Sequence, residues 1–93
     1  MKNVIITGCA KGLGLETSKM LAEAGYKVIG ISRTPTNEYQ QLQASYPEAV
    51  FFYQFDFAEV KKISELVKLV TQEHGRIFGL INNAALGHDG VLA

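Results

Sequence analysis

Thr7-Gly8-Cys9-Ala10-Lys11-Gly12-Leu13-Gly14 joins two very different stretches of chain. Before it stands a short apolar run, Val4 to Thr7, which reads as a buried strand. After it, residues 12–24 place Leu13, Thr17, Met20, Leu21 and Ala24 at helical spacing, and Gly25 supplies a helix stop. Gly8 can take the turn out of the strand without a Cβ clash. Gly12 lets backbone approach a phosphate group, and Gly14 lets the helix pack close to the sheet. The helix start then offers unpaired N–H groups and the positive end of a dipole to an anion. A Walker loop does not fit, because three residues separate Gly8 from Gly12 and Leu13 follows. The pattern G-x-G-x-x-G, read from Gly12, would need glycine at Thr17 and also fails.

Outward from this loop, short apolar runs alternate with longer amphipathic ones. Residues 27–31 form a second strand. Pro35 interrupts the chain after it, and Glu38 to Tyr46 forms a modest helix closed by Pro47. Ala49 to Phe55 is aromatic and β-branched, as strands are. Residues 58–74 give the clearest helix, with Val60, Ile63, Val67 and Val70 on one stripe, Leu66 beside it and Gly75 at its end. Ile77 to Ile81 is a fourth strand, its apolar residues expected at an open edge. Strand–helix alternation of this kind implies a parallel sheet with right-handed crossovers and helices on both faces. The expected architecture is α/β: a Rossmann-type doubly wound parallel sheet of strand order 3-2-1-4, with only the first half in this chain. Ligands of such sheets bind beyond the carboxyl ends of the strands, at the switch point.

With these elements in place, Thr-Gly-x-x-x-Gly-x-Gly at the first strand–helix turn resembles the short-chain dehydrogenase/reductase family. Two further stretches fall where that family carries its motifs. Asp56, followed by Phe57, comes after the third strand, where the family holds the adenine amino group with an acid. Asn82-Asn83-Ala84-Ala85 comes after the fourth, where the family reads Asn-Asn-Ala-Gly, so Ala85 departs from the pattern by one methyl group. The resemblance spans nearly the whole chain. It implies that residues 1–93 are the N-terminal, incomplete part of one NAD(P)-binding domain. The implied cofactor-binding residues are Gly8, Cys9, Lys11, Gly12, Leu13 and Gly14 in the first loop, Ser32, Arg33 and Thr34 after strand two, Asp56 and Phe57 after strand three, and Asn83, Ala84 and Ala85 after strand four. Asn83 would also help tie the central strands together. From the residues alone, Asp56 is equally suited to cap the following helix, and Asn82-Asn83 to form a strand-end turn.

The second strand ends in Ser32-Arg33-Thr34, with no acid before Glu38. An acid there would bind both ribose hydroxyls of NAD and repel a 2′-phosphate. Arg33 offers a planar fork suited to phosphate, and the resemblance brings Lys11 near the same ribose. NADP is therefore expected over NAD.

The implied activity is carbonyl reduction by hydride transfer from NADPH, with 3-oxoacyl-acyl-carrier-protein reductases the subgroup the segment after Asn82 resembles. That chemistry uses a tyrosine with a lysine four residues later. Tyr26, Tyr39, Tyr46 and Tyr53 are followed at that spacing by Gly30, Gln43, Val50 and Phe57. No catalytic residue is assigned, and the 93-residue chain alone is expected to be inactive. A non-catalytic nucleotide-binding module, or a fragment acting only with a partner, stands as the alternative.

Composition narrows the field further. Nine basic and nine acidic residues give zero net charge, which disfavours nucleic-acid and anionic-membrane partners. No apolar run reaches the roughly 18 residues of a membrane span. The single cysteine, Cys9, calls for no oxidising compartment, so a cytoplasmic location is the expectation. His74 and His88 lack metal-ligand company. His74 is expected at a helix C-terminus, where positive charge is favoured, and His88 with Asp89 in a loop leading toward the substrate. The partners expected for an intact protein are a small carbonyl or alcohol substrate and further copies of itself, as a tetramer or dimer.

Overall fold

The computed structural model describes residues 1–83. Its order is β1 (Asn3–Thr7), α1 (Gly12–Glu23), β2 (Lys27–Ser32), α2 (Asn37–Ser45), β3 (Val50–Gln54), α3 (Ile63–His74) and β4 (Ile77–Asn82). All pairings are parallel, and the sheet order is β3-β2-β1-β4. The expected half of a doubly wound sheet is therefore present.

Alternation along the central strands sends side chains to two different layers. Val4, Ile6 and Val28 point to one face, where they join Leu15 and Ala22 of α1 and Tyr39 and Leu42 of α2 in the core. Ile5, Thr7 and Ile31 point to the other, toward Ile63, Leu66 and Val70 of α3. That second face is less well filled. A cleft of about 330 Å³ runs between α3 and the β1–β4 pair. Of the apolar stripe on α3, only Val70 is buried, while Val67 is 56% exposed.

Two local features depart from simple periodicity. The helix expected from residue 58 begins as a single 3-10 turn, Val60–Lys62, and becomes α-helical only at Ile63. Asp56 accounts for this. Its Oδ1 accepts the Ala58 N–H at 2.9 Å and its carbonyl accepts the Glu59 N–H at 2.9 Å, so a tight turn occupies the first residues. In β4, Ile77 pairs with Asn3 but Gly79 pairs with Val4, which leaves Phe78 as an extra residue in a bulge. Phe78 stacks on Tyr26 at 6.3 Å between ring centres, and Lys2 Nζ lies 4.3 Å over it. Phe78 and Leu80 are largely exposed, so the apolar edge expected at β4 is present.

The end of α3 is fastened to the sheet by buried Asn3. Its Nδ2 donates to the carbonyls of His74 and Arg76, at 2.7 and 2.8 Å. His74 itself does not behave as a helix-end cation. Its ring packs edge-on against Phe51 at 4.6 Å, and its Nε2 lies 2.9 Å from the Tyr53 hydroxyl, which also bonds to Glu73. Nδ1 is buried without a hydrogen-bond partner. Burial holds the imidazole pKa below its ordinary value, Lys27 adds to the effect, and Glu73 opposes it more weakly. The folded chain thus favours neutral His74, whereas the unfolded chain takes up a proton near pH 6.5. Stability contributed by this site is complete above that pH and declines as pH falls through and below about 6.5. Denaturant midpoints measured from pH 7.5 to 5 should fall with acidification, and His74→Gln should flatten the slope. An unchanged slope in the variant would assign the decline to other groups.

Candidate functional site

At the carboxyl ends of β1, β2 and β3, three loops converge around a groove of about 720 Å³. Its walls include Gly8 and Lys11 from the first loop, Ser32, Arg33 and Thr34 from the second, Asp56 and Phe57 from the third, and Asn83 beyond β4. Eight of the residues expected to meet a cofactor are thus brought to one place. Ala84 and Ala85 lie outside the described residues, as do His88 and Asp89.

The first loop is shaped by backbone geometry. Gly8 and Gly12 take φ of +65° and +60°, where a side chain would be strained, and the space a Gly12 Cβ would occupy is open. Gly14 is different. A Cβ there would collide with the Gly8 carbonyl oxygen and come within 2.8 Å of Asn83 Nδ2. Glycine at 14 therefore lets the helix, the loop and the β4 terminus meet. Lys11, the residue before α1, gives no side-chain cap to the helix, and no acidic residue occupies its first turn. The amides at this helix start are left to an external acceptor.

Two of the expected contacts keep their side chains away from the groove. Cys9 is completely buried, its sulfur in the core rather than in the groove, and burial pushes its thiol pKa up to about 12. Leu13 is 72% exposed and does not line the groove. Asn83 helps tie the central strands through its backbone: its N–H donates to Thr7 Oγ1 at 2.8 Å, and Thr7 Oγ1 donates to Asn82 Oδ1 at 2.7 Å. The Asn83 side chain lies instead over Gly14.

The second loop is held from two sides. The Phe55 N–H donates to the Ser32 carbonyl at 2.9 Å, and Gln54 Nε2 donates to the Arg33 carbonyl at 2.9 Å. Asp56, across the groove, spends Oδ1 on the Ala58 amide. The capping-type role and a place in the groove wall therefore coexist in one carboxylate. Ala10, Ile31, Thr36, Phe55 and Ala58 also line the groove. Thr36 is not among the residues expected here; it caps α2 by accepting the Tyr39 N–H.

A glycine turn between strand and helix, a helix start free of acid and a groove at the switch point define the mononucleotide-binding half of a dinucleotide-binding fold. The short chain dehydrogenase family model matches residues 2–93, and the chain belongs to that family. It is similar to a probable NADP-dependent dehydrogenase of Dichelobacter nodosus, 34% identical over 89% of this chain and 77% of that one. It is also similar to the 3-oxoacyl-[acyl-carrier-protein] reductase of Thermotoga maritima, 33% identical over 98% of this chain and 38% of that one. The solved Cj0485 dehydrogenase superposes with a TM-score of 0.84 and 36% identity, covering 90% of this chain. The chain spans 32% of that structure's length and 38% of the Thermotoga reductase. Among the described residues, no group of three or more His, Cys, Asp or Glu side chains is placed to hold a metal, and no helix is long and apolar enough to cross a membrane.

Proposed function

We propose that residues 1–93 form the adenosine-phosphate-binding part of an NADP(H)-dependent oxidoreductase, an incomplete domain of a protein that reduces a carbonyl to an alcohol. The observation that carries the cofactor choice is the groove wall itself. Lys11 and Arg33 line one groove from two different loops, and the end of β2 carries no acid. A 2′-phosphate on the adenosine ribose would be attracted by both cations. In this reading Gly8, Gly12 and Gly14 admit the pyrophosphate to the α1 amides, Ser32 and Thr34 add hydroxyl donors, and Asp56 with Phe57 faces the adenine. Asn83 borders the ribose side. The bound dinucleotide supplies the hydride, and the residues in this chain bind and orient it. The likeness to the NADP-dependent Dichelobacter protein supports the same cofactor. The likeness to the Thermotoga reductase, across 98% of this chain and 38% of that one, supports a 3-oxoacyl substrate of the acyl-carrier-protein type.

The direct test uses ligands that report only the adenosine half. Adenosine 2′,5′-bisphosphate and adenosine 5′-monophosphate are titrated into the protein by calorimetry. The bisphosphate should bind more tightly, and Arg33→Ala should remove about tenfold or more of that preference, the scale of a lost charge-assisted hydrogen bond. Equal binding of both ligands by the unsubstituted protein would reject the NADP assignment. A preference that survives Arg33→Ala would remove Arg33 from the site.

A further inference from the structure

Thr36 makes a contact that joins the two loops carrying the cations. Its Oγ1 donates to the Ala10 carbonyl at 2.6 Å, across 26 residues of sequence, while accepting the Tyr39 N–H at 3.2 Å. Ala10 immediately precedes Lys11. Thr36 also begins α2, since its carbonyl accepts the Gln40 N–H at 3.0 Å. That helix is itself anchored: Tyr39 is buried and its hydroxyl donates to the Phe51 carbonyl of β3 at 2.8 Å. A rigid path therefore runs from β3 through α2 and Thr36 to the peptide that positions Lys11. From the other side, β3 also holds the Arg33 carbonyl through Gln54.

We infer that the Thr36 hydroxyl is a strut between the glycine loop and the Ser32–Thr34 loop, and that it positions Lys11 against Arg33 so that both cations serve one phosphate. The inference rests on the NADP reading above and adds to it a positioning residue. A hydroxyl suits the place because it donates and accepts at once. Valine has the same shape and can do neither. With the strut removed, Lys11 is free to drift from Arg33, and the ligand that needs both cations loses most. A ligand held by the helix-start amides and the adenine wall loses least.

The test compares Thr36→Val and Thr36→Ser in the full chain. Thr36→Val should weaken adenosine 2′,5′-bisphosphate about 5- to 10-fold and adenosine 5′-monophosphate less than about 2-fold, the range of one net hydrogen bond. Thr36→Ser should restore binding of the bisphosphate. Equal loss of both ligands in Thr36→Val would reduce the residue to a general stabiliser and overturn the inference. So would a serine variant as weak as the valine one. Amide hydrogen exchange without nucleotide keeps the two readings separable. Thr36→Val should raise exchange in residues 9–12 as well as at Tyr39, and a rise confined to Tyr39 would show a helix cap with no strut. If the unsubstituted protein does not prefer the bisphosphate, the NADP reading fails and the specificity role falls with it. The exchange data then still decide whether the mechanical link exists.

Discussion

Gly14→Ala should lower the stability of this chain by about 3 kcal/mol, the upper part of the range for overpacking a closed site. For a domain of this size that corresponds to roughly 15 °C in thermal midpoint. The added methyl would meet the Gly8 carbonyl oxygen, a backbone atom that cannot rotate away, and Asn83 Nδ2 at 2.8 Å. Relief requires α1 to lift from β1 or the glycine loop to deform, and either movement opens the groove. Gly12→Ala supplies the contrast. The space there is open, so its cost comes only from the positive φ and should be about 1 to 2 kcal/mol. Thermal melts of the two variants side by side decide the matter. Equal losses would mean that the neighbours of Gly14 yield to the added methyl and that close approach does not select glycine there, since its own φ is not positive.

Gly30→Ala should cost a similar amount, about 3 kcal/mol, for a different reason. Gly30 is a central residue of β2 and its missing side chain leaves room for two others. A Cβ would collide with the Tyr39 hydroxyl and lie 2.6 Å from Cys9 Sγ. Both neighbours are buried, so neither can swing into solvent. The clash is specific enough to be isolated by a second substitution. Tyr39→Phe removes the nearest offending atom, along with the hydroxyl's bond to the Phe51 carbonyl. Gly30→Ala made in the Tyr39→Phe background should therefore cost less than in the parent, by about 1 kcal/mol or more. Additive losses, measured by denaturant unfolding of the four proteins in the cycle, would place the damage elsewhere than at Tyr39.

The two glycines differ in how plainly the sequence states their purpose. Gly14 belongs to a motif whose spacing states its purpose, so its role in close packing was an expectation before the sheet was seen. Gly30 lies inside an apolar run where nothing marks it out, because its partner Tyr39 is nine residues away and on another element. The same division holds elsewhere. The succession of strands and helices follows from local periodicity, since each apolar run and each helix stop is written in neighbouring residues, and the strand order follows from the general rule for doubly wound sheets. The bulge at Phe78 depends on how β4 meets β1, and periodicity along one strand carries no information about register with another. Cys9 was assigned to the cofactor loop by position alone. Its side-chain direction depends on the turn geometry, which sends the sulfur under Gly30 and into the core. The position of His74 at the end of α3 is legible in the sequence, but the sign of its charge preference is set by Phe51, Tyr53 and Lys27, none of them adjacent in sequence. Among the groove residues, the loop glycines, Arg33 and Asp56 announce themselves by type and place. Thr36 does not, because the bond that matters reaches back 26 residues.

The strand order carries a temporal consequence. β1 lies in the middle of the sheet, and one of its two neighbours is β4. The side-chain bonds on that side of β1, from Asn3 to His74 at the end of α3 and from Asn83 after β4 to Thr7, span 71 and 76 residues. During synthesis, β1 and β2 can pair while α3 is still unmade, but the far side of the central strand stays bare until β4 emerges. Closing so long a loop is entropically costly and slows the pairing of β4. The groove is completed in that step, because Asn83 follows directly on β4. A nascent chain thus passes through an interval in which its first-made strand is exposed along one edge, the kind of surface that chaperones recognise and that misfolded chains share.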